Sequence, residues 1–209
     1  MEQTTLIQSA QNGDLEAFNQ LVLMLQDRLF NVAARMLDDD DSAADAVQNA
    51  FILAFRNLSK FRGTSFDFWL LRILKNVCFD ELRRRKRHII FPIDPPADDD
   101  EGFETSIWLV DHSQNPADMA ERADLTRAIQ AGLKTLAPEF RMVLVLVDVD
   151  GLDYAQVASV IGVPVGTVKS RLARARMRLR QELQRSQELL PRYFFPSRTS
   201  MRADAMAAG

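Results

Sequence analysis

Residues 153–180, DYAQVASVIGVPVGTVKSRLARARMRLR, decide the fold. Tyr154, Val157, Ala158 and Ile161 recur at helical spacing, and Asp153 stands before them as an N-cap, so a short amphipathic helix is predicted. Gly162-Val163-Pro164 breaks it: Gly tolerates positive φ, and Pro disfavours helix at the residue before it. A second helix follows from about Val165. Two helices joined by such a turn form a helix-turn-helix, whose second helix normally enters the major groove of DNA.

The composition of the second helix fits that target. Lys169, Arg171, Arg174, Arg176, Arg178 and Arg180 are uninterrupted by any acidic residue. Val168, Leu172, Ala175 and Leu179 keep an apolar stripe for packing, so the cations project elsewhere. Gly166, Thr167 and the backbone N–H groups at the helix start offer a phosphate site. The competing reading is a solvated, Arg-rich surface helix, against which the turn signal weighs.

The chain has 209 residues, enough for one large or two small domains. No run of about 20 apolar residues is present, so no membrane span is expected. The first residues, MEQTTLIQSAQNGD, lack the basic and apolar regions of a secretory signal. A single cysteine, Cys78, excludes an internal disulfide and a cysteine-rich zinc site, which fits a reduced, cytoplasmic protein. Net charge is −3, yet basic residues cluster over 72–87 and again over 169–180, with an acidic stretch between. Two nucleic-acid contacts separated by a negative connector are expected from that distribution.

The first segment, to about His88, is expected to be all helix. Phe18, Leu21, Val22, Leu25, Leu29, Val32, Ala33 and Met36 follow helical spacing after the turn Asn12-Gly13-Asp14. Asp38–Asp41 end that helix, and Asp41 or Ser42 starts the next. Capping explains these carboxylates better than a metal site, because consecutive side chains diverge and carboxylates suit a helix N-terminus. The next helix puts Val47, Ala50, Phe51, Ala54 and Leu58 on one face, and Asp45, Gln48, Asn49, Ile52 and Arg56 on the other. Ile52 is an apolar residue in a polar face: either an isolated exposed residue or the centre of a protein-binding patch.

After the loop Ser59–Ser65 comes a helix through Phe66, Trp69, Leu70, Ile73, Leu74, Val77 and Leu82. Spacing assigns Phe66 and Trp69 to the core and leaves Phe61, outside the pattern, as the better base-stacking candidate. Arg83–Arg87 close the helix as a solvated run or a phosphate contact. Residues 89–117, acidic and punctuated by Pro92, Pro95, Pro96 and Pro116, are expected to be a flexible linker holding the apolar island Ile107–Val110. A second domain is expected over 118–186. Leu125, Ile129, Leu133 and Leu136 line its first helix, and Pro138 opens another with Phe140, Val143, Leu144 and Val147 buried. The run MVLVLVDV resembles a strand, but its place between Pro138 and Gly151 favours helix. Residues 187–209 form an extension beyond it, its last residues small and polar, with Leu189–Phe195 more apolar than a free tail.

The strings GDLEAF, DAVQNAFILAFRNL and FRGTSFDFWLLRILKNVCFDELRRR, and after them LKTLAPEFRMVLVLVDVDGLDYAQVASVIGVPVGTVKSRLARARMRLR, resemble bacterial sigma factors of the extracytoplasmic-function group. The likeness runs from Asn12 to Leu183 and implies an all-α chain of two small helical domains. The first, over 1–88, would bind core RNA polymerase and the minus-10 element; the second, a four-helix domain with the helix-turn-helix, would read the minus-35 element. Matched residue by residue, Asp45, Gln48, Asn49 and Ile52 take the place of the face that binds the clamp coiled coil of the polymerase large subunit. Phe61, Thr64, Ser65 and Asn76 match the part that captures a flipped base, with Lys75, Arg83, Arg84 and the rest of the run to Arg87 on the DNA backbone. Thr167, Lys169, Ser170, Arg171, Arg174 and Arg176 match the minus-35 reader. The resemblance implies core polymerase (clamp and flap), promoter DNA and an anti-sigma factor or other regulator as partners. It implies no cofactor, no metal, no membrane insertion and no enzymatic activity. Gln156 departs from the family's usual acidic residue. A stand-alone regulator that binds an operator without polymerase is the alternative from a different class.

Overall fold

The computed structural model describes residues 3–63, 65–90 and 126–185, with side chains excluded for 88–90. Thr64, Leu125, the expected linker from 91 onward, the domain start near Asp118 and the extension over 187–209 lie outside the described residues. Among the described residues every regular element is helical.

A short helix, α1 (Gln3–Gln11), leads into a turn where Gly13 adopts φ 97°, a conformation that favours glycine. Asp14 then caps α2 (Leu15–Leu37), its carboxylate accepting from the amides of Glu16 and Ala17 at 3.0 and 3.2 Å. Leu21, Leu25, Leu29, Val32 and Met36 form its buried stripe. The acidic run divides its labour. Asp38 ends α2 in the left-handed region, at φ 71°, and Asp39 caps α3 (Asp40–Asn57) by accepting from Ser42 N at 2.7 Å. The cap thus sits two residues ahead of the expected start at Asp41 or Ser42. A 3₁₀ turn, Leu58–Lys60, precedes α4 (Phe66–Ile90), which buries Leu70, Leu71, Leu74 and Cys78 and runs two residues past the expected domain end. Truncating a fully buried leucine such as Leu74 would cost about 2–5 kcal/mol.

The second unit begins with α5 over 126–134. α6 (Pro138–Leu144) continues as a π-helical turn, Val145–Val149, so the MVLVLVDV run is helix and not strand. The π turn is closed by Asp150 N donating to Val145 O at 2.9 Å. α7 (Tyr154–Ile161) and α8 (Val165–Arg185) complete it. A Cβ at Gly132 would lie 2.6 Å from Leu179 Cδ1, which marks the close approach of α5 and α8. Two expected core positions are corrected. Tyr154 is exposed and Val160 takes its place beside Val157; Ile129 is exposed while Leu133 and Leu136 are buried. The second unit packs on α2 and α4 of the first.

Candidate nucleic-acid and protein interfaces

The helix-turn-helix is built from its caps upward. Asp153 Oδ1 accepts from the amides of Ala155 and Gln156, both at 2.8 Å, and Gln156 Oε1 accepts from Asp153 N at 2.9 Å. This reciprocal capping box fixes the start of α7. Gln156 therefore supplies the helix-terminus contact without a charge. Gly162, at φ 81°, ends the helix and turns the chain toward α8. Pro164 O accepts from Thr167 N at 2.9 Å and from Val168 N at 3.2 Å. The Thr167 amide is thereby committed to the turn, which narrows the phosphate site expected there.

Val168, Leu172 and Ala175 bury one face of α8, as the apolar stripe predicts. Lys169, Ser170 and Arg174 are exposed and Arg171 is half-buried. Lys169 Nζ stands 5.8 Å from the centroid of the Tyr154 ring, a cation–π distance. Among the described residues, Arg171 and Arg174 have no ion-pair partner. Arg176 differs: its Nε donates to Asp148 Oδ2 at 2.9 Å, and a second, shorter bond joins the same two groups. That hydrogen-bonded pair raises the Arg176 pKa and fixes the side chain against the π turn. Arg176, expected among the minus-35 contacts, is thus engaged by Asp148 in the free chain. The Arg178 guanidinium lies 5.2 Å from the Phe140 ring centroid.

A cleft of about 330 Å³ opens between the end of α3 and the start of α4, lined by Leu53, Asn57, Lys60, Trp69, Ile73 and Asn76. Trp69, Ile73 and Asn76 share one face of α4 at helical spacing. Phe66 is buried as expected, whereas Phe61 and Trp69 depart from expectation. Phe61 is only 7% exposed, packed edge-on to Phe66 at 5.7 Å and tilted against Trp69 at 5.1 Å. A residue outside the helical pattern is still buried when a 3₁₀ turn folds it under a neighbouring helix. Trp69 is the half-buried ring that reaches the cleft. The loop carrying Phe61 is pinned: Gln11 Nε2 donates to Leu58 O at 2.9 Å and to Phe61 O at 3.0 Å, and Arg62 donates to Ser59 O and Phe61 O. Ser65 Oγ accepts from Phe68 N at 3.4 Å at the start of α4.

The cations at the end of α4 separate into two kinds. Arg83 and Arg84 are exposed and pair along the helix with Asp80 and Glu81. Arg85 turns inward. Its Nε meets Glu81 at 2.9 Å, one terminal nitrogen donates to Leu37 O at 2.8 Å, and the other bonds Asp39 at 2.6 Å and also reaches the Ser42 hydroxyl. Arg85, expected in the DNA-backbone flank, thus ties α4 to the junction of α2 and α3 in the free chain. Desolvation, with the neighbouring Arg72 charge, lowers the Lys75 pKa.

On α3, Asp45, Gln48, Asn49, Ile52 and Arg56 are all exposed. Ile52, 41% exposed, sits on the crest, with a groove on each side. One groove, of about 1020 Å³, is walled by Phe18, Val22, Phe30, Val47, Phe51 and Phe55. The other is flanked by Asp80, Arg83, Arg84 and Arg87 of α4. Phe18 and Phe55 meet edge-on at 5.0 Å in the wall of the first groove, Phe18 buried and Phe55 exposed. The apolar continuity of this groove was missed from sequence, because its walls come from two helices read separately. Among the described residues no cluster of three or more His, Cys, Asp or Glu is placed to hold a metal, and no helix is long and apolar enough to cross a membrane.

Residues 21–88 match the family model Sigma-70 region 2, and residues 126–179 match Sigma-70, region 4. The RNA polymerase sigma-H factor of Pseudomonas aeruginosa is 36% identical over 184 residues, covering 86% of this chain and 92% of that protein. The ECF RNA polymerase sigma-E factor of Escherichia coli K12 is 35% identical over 185 residues, covering 86% and 93%. Among solved structures, CnrH in complex with the cytosolic domain of CnrY is similar at TM-score 0.63 and 26% identity, covering 86% of this chain and 96% of that one. The sigma factor RpoE in complex with the anti-sigma factor NepR, from Bartonella quintana, is similar at TM-score 0.60 and 26% identity, covering 80% and 96%.

Proposed function

The chain belongs to the extracytoplasmic-function sigma factors of RNA polymerase, and from that premise we propose how its residues divide the work of promoter recognition. Residues 1–88 form the core-binding and minus-10 domain, 118–186 the minus-35 domain, and 89–117 the connector between them. The α3 crest of Asp45, Gln48, Asn49 and Ile52 docks on the clamp coiled coil of the polymerase large subunit. An apolar centre ringed by hydrogen-bonding groups suits that task. The second domain contacts the flap.

α8 enters the major groove near the minus-35 element. Thr167, Lys169, Ser170, Arg171 and Arg174 face the DNA, with Arg171 and Arg174 available for base edges and phosphates. The cleft between Trp69 and Asn76 receives an unpaired base of the minus-10 element. Trp69 offers a stacking wall, and Asn57, Asn76 and Lys60 offer hydrogen-bonding groups that can choose among bases. Ser65 and its sequence neighbour Thr64 add hydroxyls to the same contact. Arg83, Arg84 and Lys75 hold the backbone beside it. Flipping costs a few kcal/mol, least where pairing is already loose, so capture biases the duplex toward melting. The protein is a non-catalytic, cytoplasmic initiation factor. Its similarity to a sigma factor solved with an anti-sigma factor supports restraint by a protein of that kind.

The observation that carries this reading is the presence, on one chain, of two features. One is a capped helix-turn-helix whose Arg171 and Arg174 have no ion-pair partner among the described residues; the other is a base-sized cleft walled by an aromatic ring. The test is transcription by purified core polymerase from candidate promoters, with and without the protein. Transcripts that begin at defined sites only when it is added are expected. Absence of them, together with tight polymerase-free binding to a symmetric duplex, would overturn it.

A further inference from the structure

The groove of about 1020 Å³ between α2 and α3 leaves large apolar side chains in water. Leu15 at one end is 62% exposed, Phe55 45% and Ile52 41%. Val22 and Phe30, half-buried, line the groove with them. Contiguous apolar surface of this extent on a folded domain marks a site that something covers. Its polar edge includes Gln26, Asp27, Asn31 and Gln48, all exposed. Asp27 has no ion-pair partner among the described residues.

The end of α8 comes close to one mouth of this groove. Gly132 of α5 abuts α8, and a Cβ there would lie 2.6 Å from Leu179 Cδ1 and 4.0 Å from Leu183 Cδ2. Two residues earlier, Gln130 Nε2 donates to Ala34 O at 2.9 Å, in the last turn of α2. α8 ends at Arg185, so the chain leaves it beside the junction of α2 and α3. That is the end of the groove lined by Asn31 and Ala44. Beyond it the sequence reads Leu189-Leu190-Pro191-Arg192-Tyr193-Phe194-Phe195. Pro191 disfavours helix at Leu190, which opposes carrying these residues onward along the α8 axis. From Arg185 to Phe195 the chain spans up to about 33 Å, at roughly 3.3 Å per residue. From Ala44 to Phe55 along α3 is only about 17 Å, at roughly 1.5 Å per residue. The segment therefore reaches the far end of the groove with slack.

Order and charge agree with that path. From the Asn31 end, the groove presents Asp27 first, then Val22 and Phe51, then Phe18 and Phe55. The chain presents two leucines first, then Arg192, then three aromatic residues. We propose that the α2–α3 groove is the seat of the chain's own Leu189–Phe195 segment, with Arg192 against Asp27 and the aromatic residues along Phe51, Phe18 and Phe55, and that core polymerase must displace this segment to dock on the α3 crest. A tethered segment acts at high effective concentration, so a contact too weak for a separate peptide is occupied here. The groove borders Ile52 and Gln48 of the crest, which is why seating and docking compete. The seat stands on the groove and the reach of the chain; the competition rests on the sigma-factor reading above.

The test uses the full chain with photo-reactive p-benzoylphenylalanine in place of Phe194, irradiated at low concentration and mapped by peptide mass spectrometry. Cross-links within one chain to Val22, Phe51 or Phe55 are expected. Cross-links between two chains, or within one chain to other surfaces, overturn the seat. Phe55→Asp is expected to cut the groove yield roughly fivefold, because seating would desolvate the new charge. Leu23→Asp, at an exposed position of α2 outside the groove, is expected to leave the yield unchanged. Equal yields in those two variants overturn the seat. Asp27→Arg is expected to lower the yield about twofold, as loss of an exposed ion pair does, and adding Arg192→Asp to restore it. Recovery in that swap excludes misfolding, and its absence overturns the pairing. Saturating core polymerase is expected to abolish the groove cross-links. The triple variant Tyr193→Ser, Phe194→Ser, Phe195→Ser is expected to bind core polymerase roughly two- to fivefold more tightly. Groove cross-links that persist at saturation overturn the competition. Run-off transcription by the wild-type chain keeps the two readings apart. Transcription without groove cross-links sinks the seat alone, and groove cross-links without transcription sink the sigma-factor reading alone.

Discussion

Arg176 and Asp148 are joined by two hydrogen bonds that clip α8 to the π turn, whereas Arg171, on the preceding turns of the same helix, has no ion-pair partner among the described residues. Identical side chains on one basic helix therefore have different work. Arg171→Ala is expected to weaken minus-35 binding by about 1–3 kcal/mol and to relax preference at one base position. Arg176→Ala is expected to leave base preference intact and to cost less than about 1 kcal/mol of stability, as an exposed pair does. Competition assays with single-base promoter variants, run beside thermal melts, separate the two.

Ile52→Asp places a carboxylate on the crest of α3 between two grooves. Because the position is exposed in the free chain, stability should change by no more than about 0.5 kcal/mol. Docked against a polymerase surface, the charge would be desolvated and unpaired, so association should fall by well over tenfold. Pull-down of core polymerase with matched circular dichroism spectra checks both halves of this expectation.

Asn76 lines the cleft without belonging to the core. Asn76→Ala should preserve folding and lower discrimination among bases at one minus-10 position by about 0.5–1.5 kcal/mol, the worth of a hydrogen bond. Minus-35 binding should not change. Transcription from promoters carrying each of the four bases at that position is the measurement.

Arg85 joins three helices, so Arg85→Met should cost about 1–3 kcal/mol by leaving Leu37 O and Asp39 without their partner. The loss should depend on pH. Burial tends to raise the Asp39 pKa, but the Ser42 amide and Arg85 outweigh it and hold the carboxyl below its ordinary value; hydrogen bonds from Arg84 and Arg85 do the same for Glu81. Carboxyls depressed in the folded state add stability that is fully present above their unfolded values and lost as pH falls through the folded ones. Urea midpoints measured from neutral pH down through the carboxylate range should therefore fall for wild type, and less steeply for Arg85→Met.

Cys78 is fully buried among the residues of α4 that face the core, and burial pushes its thiol pKa up to about 12. At neutral pH it should react with thiol reagents only as fast as the domain opens. Rapid stoichiometric labelling of the native chain would contradict this placement.

Much of this molecule is written in local pattern. The helix-turn-helix, both helix faces of α3 and the stripe of α8 follow from periodicity and caps, because each depends on residues within a few turns. What escaped depends on contacts between distant segments. Phe61 looked free because its burial requires the loop to fold beneath Phe66 and Trp69. Tyr154 fits a helical stripe, but Val160 faces the core, since eight residues define a helix face poorly. Arg85 and Arg176 are indistinguishable from their basic neighbours until Leu37 O, Asp39 and Asp148 are in place. Periodicity assigns the helix after Pro138 a single buried side, whereas Met142–Leu146 are all buried and part of their cover comes from the other domain.

Gln11 spends both hydrogens of its amide on the carbonyls of Leu58 and Phe61, so the amino-terminal helix acts as a strut beneath the rim of the base cleft. Changes there touch no nucleotide. On the proposed reading of the cleft, substitutions at Gln11 would loosen the shape of the opening and so shift initiation stringency without altering a side chain that meets nucleic acid.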